Sequence, residues 1–77
     1  QLATVKSEAA AMYEWHRLQK RLPELLGSRE PFVTTTEHGG RAFWLVRTGG
    51  FADQSQAAAF CQRVHAKKSI CEVIAAG

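Results

Sequence analysis

Phe32-Val33-Thr34-Thr35-Thr36-Glu37-His38-Gly39-Gly40-Arg41-Ala42-Phe43-Trp44-Leu45-Val46-Arg47-Thr48 is the stretch on which the fold turns. Phe32 to Glu37 is dense in β-branched residues and predicts a strand. His38-Gly39-Gly40-Arg41 supplies the glycines a tight turn needs, and Ala42 to Thr48 predicts the returning strand of a hairpin. Upstream, Leu2 to Val5 reads as the end of another strand. Ser7 then suits a helix N-cap, and Ala11, Trp15, Leu18 and Leu22 recur at spacings of four, three and four, one stripe of an amphipathic helix. Pro23 stops that helix, and Pro23 to Gly27 makes a further turn. Downstream, Gly49-Gly50 ends the hairpin and Asp53 with Gln56 forms a capping box. Ala57, Phe60, Cys61 and Val64 give a second helical stripe, closed by Lys67-Lys68-Ser69. Ile70 to Ile74 predicts a last strand before Ala75-Ala76-Gly77.

The order βαββαβ predicts an α+β sandwich of the ribonucleoprotein or ferredoxin-like kind: a four-stranded antiparallel sheet with two helices on one face. A 46-residue shift supports it. Val5 falls on Phe51, Ser7 on Asp53, Ala11 on Ala57, Trp15 on Cys61 and Leu18 on Val64, so both caps and both stripes land in register. The first and third strands are then expected at the centre of the sheet. Its uncovered face becomes the largest surface of defined shape.

Alternation assigns that face. Phe43, Leu45 and Arg47 point one way and Trp44, Val46 and Thr48 the other. Burying Arg47 under two helices without a partner would cost several kcal/mol, so Phe43, Leu45 and Arg47 are expected outward and Trp44 and Val46 in the core. Gln1 matches Arg47 under the shift and should look out from the neighbouring strand. A small irregularity at the strand end would turn the Thr4 hydroxyl the same way. A ring, an aliphatic side chain, a guanidinium, an amide and a hydroxyl suit a sugar chain, and the same mixture can stack bases.

The 77 residues suffice for one domain with a thin core. With 45% apolar and 22% charged side chains and a net charge of +3, the chain is neither a disordered acidic tail nor a polybasic arm. All of the excess charge falls in residues 39–77, at Arg41, Arg47, Arg63, Lys67 and Lys68, a modest bias toward anions. We read 1–77 as a single module of a longer protein. Two Cys and three His lack metal-site spacing, no carboxylate pair or nucleophile elbow is present, and neither an enzyme nor a metal or other cofactor is expected. Cys61 and Cys71 lie ten residues apart, where a last strand running back beneath the second helix would bring them within disulfide reach. The alternative is two reduced thiols in a cytosolic protein.

Gln1-Leu2-Ala3-Thr4-Val5 with Ser7-Glu8-Ala9, and Trp44-Leu45-Val46-Arg47-Thr48-Gly49-Gly50-Phe51-Ala52-Asp53, resemble the two half-motifs of the SPOR domain, the sporulation-related repeat. The resemblance runs over nearly the whole chain. The cysteine pair resembles the variant of alphaproteobacterial members. It implies a periplasmic module that binds peptidoglycan glycan strands whose stem peptides have been removed, and so brings its parent protein to the division septum or other sites of wall remodelling. Gln1 and Thr4 stand at the family's Gln and Ser, Arg47 at the second Arg of its other half-motif, and Phe43 near an aromatic of some members. Leu45 departs from the Arg or polar residue often found there, and Gly50 from the usual Pro. Leu45 implies weaker binding, binding that leans on stacking, or another partner.

The expected glycan contacts are therefore Gln1, Thr4, Phe43, Leu45 and Arg47. Further envelope or divisome partners would act through the parent chain. The domain itself is expected to be monomeric, without membrane insertion and without nucleic acid. Two rivals stand beside this reading. RNA or single-stranded DNA binding would call for a second aromatic on a central strand and a stronger basic field. A protein-interaction module would bury Phe43 and Leu45 against a neighbouring domain.

Overall fold

A computed structural model of the chain describes residues 1–74. The elements are β1 (Ala3–Val5), α1 (Glu8–Arg21), α2 (Pro23–Leu26), β2 (Phe32–His38), β3 (Arg41–Arg47) and α3 (Gln54–Ala66). The expected hairpin is present. β2 and β3 pair antiparallel from Phe32 opposite Arg47 to His38 opposite Arg41. Gly39 and Gly40, with φ of +58° and +76°, make the two-residue turn that matches the twist of the strands.

The four-stranded sheet is not formed. The described sheet has three strands in the order β1-β3-β2, with α+β architecture and three helices in place of the βαββαβ sandwich. β3 alone is central, and β1 stands beside it over Ala3–Val5. The run expected as a fourth strand meets β1's side of the sheet at a single residue. Glu72 N donates to Gln1 O at 2.8 Å, and Gln1 N donates to Glu72 O. One exchanged pair is not a ladder, which needs the pattern to repeat along both chains. The apolar composition of Ile70 to Ile74 suggested a strand, yet Ile70 and Ile74 remain 76% and 43% exposed and gain no seat on the core. Ala75-Ala76-Gly77 lie outside the described residues.

The helices follow their sequence signals closely. Ser7 Oγ accepts from Ala10 N at 3.0 Å and starts α1. Pro23, expected as a mere turn, opens α2 at a position where its missing N–H is not needed. Gly27 stops it: a Cβ there would sit 2.5 Å from Pro23 O. Asp53 Oδ1 accepts from Gln56 N at 2.9 Å, while the Gln56 amide reaches back to Ala52 N, one residue beyond a strict capping box. The α1 stripe Ala11, Trp15, Leu18 and Leu22 joins Leu25, Leu26, Phe60 and Val64 in one core with Leu2 and Val46. Helices therefore cover one face of the sheet.

Two ties complete the fold. Cys61 and Cys71 form a disulfide, with Cα atoms 5.1 Å apart, joining α3 to the segment that follows it. Phe51 and Phe60 pack on each other with centroids 5.1 Å apart, and the Arg29 guanidinium sits over both, 4.3 Å from the Phe51 centroid and 4.6 Å from that of Phe60. Its Nη1 also donates to Gly49 O at 2.9 Å. Thr48 Oγ1 donates to Glu30 O at 2.9 Å. The segment after α2 is thereby fastened to the end of β3, next to Arg47.

Candidate functional site

The uncovered face is set by β3. Val46 is fully buried, so its alternate neighbours Phe43, Leu45 and Arg47 face away from the helices. Directly opposed residues share a face, which adds Thr4 and Thr34 opposite Leu45, Thr36 opposite Phe43 and Phe32 opposite Arg47. Strict alternation would put Gln1 on the other side from Thr4. It does not, because Leu2 and Ala3 both turn to the core, and both oppose Val46: Leu2 N donates to Val46 O at 2.8 Å while Ala3 is the registered partner. An extra residue on one strand is the geometry of a bulge, and it re-aims one side chain.

That re-aimed side chain is Gln1. Arg47 donates from Nε and Nη2 to Gln1 Oε1 at 3.3 and 3.2 Å. Gln1 Nε2 donates to Thr4 Oγ1 at 3.2 Å. The amide is thus held by its oxygen at one end and its nitrogen at the other. Thr4, having accepted, keeps its own hydroxyl proton to donate, and the guanidinium keeps spare N–H groups. The network offers chiefly donors to anything lying on the face, which favours ligands rich in carbonyl and carboxylate oxygens.

Of the five residues singled out from sequence, Gln1, Thr4, Phe43 and Leu45 line one open trough of about 510 Å³, and Arg47 joins it through Gln1. Phe43, Leu45 and Arg47 are half-buried and Thr4 is exposed. Thr36 and His38 also line the trough and were missed. The signal was present, since alternation from Phe32 carries Thr34, Thr36 and His38 to the same side. Thr34 Oγ1, on this face, is buried without a hydrogen-bond partner. A second hollow of about 400 Å³ continues past Gln1 and Arg47, lined mainly by Phe32, Phe51, Phe60 and the disulfide.

Among the described residues no group of three or more His, Cys, Asp or Glu is placed to hold a metal ion. None of the helices described is long and apolar enough to cross a membrane. A ring and an aliphatic side chain flanked by oriented donors lie together on the open sheet face.

The SPOR domain model matches residues 1–75, and the chain belongs to the SPOR domain family. That family is associated with peptidoglycan binding, and its members are typically periplasmic or otherwise tied to the cell envelope. The chain is similar to an uncharacterized protein of Rickettsia prowazekii (strain Madrid E), with 35% identity over 74 residues, covering 92% of this chain and 32% of the relative. It therefore spans about a third of that relative's length. No solved structure gives a significant match.

Proposed function

We propose that this domain binds glycan strands of peptidoglycan from which the stem peptides have been removed, and that it serves as the targeting module of a larger envelope protein working at the septum or at sites of wall remodelling. The observation that carries this reading is the Arg47–Gln1–Thr4 network beside Phe43 and Leu45 on an uncovered face. Phe43 and Leu45 lie under the apolar faces of the sugars, where a flat ring covers C–H groups without needing polar partners. Arg47, Gln1 and Thr4 donate to acetamido, hydroxyl and muramic carboxylate oxygens. Removal of the stem peptide uncovers that carboxylate and clears the space above the strands, so charge and shape both favour the stripped polymer.

One such module on one short sugar segment binds weakly, and many sites along a strand raise the retention. Co-sedimentation with sacculi tests the reading. Pelleting should rise after amidase treatment and drop several-fold for Arg47→Ala. Equal pelleting before and after treatment, or none, rejects it. Tighter binding to oligonucleotides than to stripped glycan would favour the nucleic-acid rival instead.

A further inference from the structure

The contacts considered so far gather where β3 meets Gln1, yet the cations on the open face do not. Arg41, Phe43, Leu45 and Arg47 are alternate residues of β3 and so share that face. His38 closes the hairpin directly opposite Arg41, and it lines the same trough as Thr4, Thr36, Phe43 and Leu45. Arg41 and His38 are both exposed. Neither makes an ion pair or a side-chain hydrogen bond among the described residues. Glu37, the nearest acid in sequence, belongs to the opposite face, since its registered partner is Ala42. Glu72 is the acid beside this surface, and it sits at the far end against Gln1.

The face is therefore a strip carrying an arginine at each end of β3, with uncharged trough residues between them. Six residues of extended chain, at ~3.4 Å each, separate the two arginine Cα atoms by about 20 Å. That span holds several sugar rings. Thr36, Phe43, Leu45 and Thr4 fill it with hydroxyls and apolar surface.

We propose that Arg41 and His38 form a second subsite, which takes a second carboxylate of the same glycan strand while the first lies at Arg47. The proposal rests on the glycan reading above and extends it to a ligand class: a linear polysaccharide carrying carboxylates at regular intervals, long enough to reach both ends of β3. Arg41 offers a planar fork to the carboxylate, and His38 adds a ring N–H. Once one carboxylate is seated, the other is held close by the chain between them, so the second contact adds affinity without a second encounter. Fragments too short to span the strip reach one end only.

The test is an NMR or calorimetric titration with stripped glycan fragments of two lengths, a disaccharide and a long oligomer, against the unaltered domain, Arg41→Gln, His38→Gln and the double variant. The unaltered domain should bind the oligomer roughly tenfold or more tighter than the disaccharide. Arg41→Gln, at a residue outside the trough lining, should lose most of that advantage while its disaccharide affinity and its melting temperature stay unchanged, and the double variant should lose at least as much of the advantage. An oligomer whose carboxyl groups have been reduced to alcohols should lose the advantage on the unaltered domain too. Full oligomer affinity in Arg41→Gln overturns the second subsite, as does an equal loss at both lengths in that variant. Retention of the advantage by the reduced oligomer overturns the carboxylate assignment. If the unaltered domain binds neither length, the glycan reading itself falls and takes this subsite with it.

Discussion

The two halves related by the 46-residue shift follow one strand-and-helix plan but are secured by different means. In the first half Ser7 caps α1, Trp15 is buried to 2% exposure, and the chain continues through α2 into a strand paired along all of its length. In the second half Asp53 caps α3, Cys61 occupies the place equivalent to Trp15, and the chain continues into a run that pairs with Gln1 alone. Equivalent residues also touch: Arg47 bonds to Gln1, and Arg21 Nη2 donates to Lys67 O at 2.8 Å. The contrast is instructive. Where a large ring fills the core, the following segment is held by packing and a full ladder. Where the equivalent residue is small, a covalent bond to Cys71 does the holding.

The sharpest way to break this contrast is Trp15→Ala. Truncating so large a buried side chain should cost about 3–5 kcal/mol, most of what a domain this small possesses, and denaturant unfolding would read it. A loss near 1 kcal/mol would mean that the first half does not depend on its ring. Next in size is the disulfide. The bond closes a ten-residue separation, and chain-entropy arithmetic for so short a loop gives about 2.5–3 kcal/mol. Reduction, or Cys61→Ser with Cys71→Ser, should lower stability by that amount. Equal stability of the oxidised and reduced forms would show that packing, not the covalent bond, secures the second half.

Arg29→Ala should cost about 1–2 kcal/mol by removing a cation held over the Phe51–Phe60 pair and its bond to Gly49. It should also loosen the end of β3, visible as faster hydrogen exchange around Thr48 to Phe51. The caps give the smallest effects and the finest distinction. Ser7→Ala should cost about 1 kcal/mol at any pH, since the hydroxyl does not titrate. Asp53 behaves differently. Its carboxyl is held below its ordinary value by the Gln56 backbone N–H and then by the Ser55 hydroxyl. Its contribution is present above the ordinary carboxylate range and is lost as the pH falls through the lowered value. Asp53→Asn should therefore leave neutral stability nearly unchanged and flatten the acid limb of the stability curve. An unchanged acid limb would remove Asp53 as its source.

Much of this was legible without coordinates. The Ala11–Trp15–Leu18–Leu22 stripe, the Ser7 and Asp53 caps, the double-glycine turn, the outward set Phe43, Leu45 and Arg47, and the cysteine pair each follow from local chemistry. The fourth strand failed because Ile70 to Ile74 has a strand's composition, and composition does not say whether a neighbour offers a matching ladder. The place of His38 on the open face was not legible from its own type, because it depends on pairing with Arg41 across the turn. Arg29 gave no signal, since its clamp joins residues some twenty and thirty positions away in sequence.

The doubled inward step at Leu2 and Ala3 sets the parity of everything before it. Adding one residue between Gln1 and Leu2 would leave the core side of the strand and the helices intact. It would nevertheless send the Gln1 amide to the helix side and leave the Arg47 guanidinium without its acceptor. A single-codon insertion at this point should thus yield a folded domain without the Arg47–Gln1–Thr4 network, whereas an insertion in the hairpin turn would spare the first strand's frame altogether.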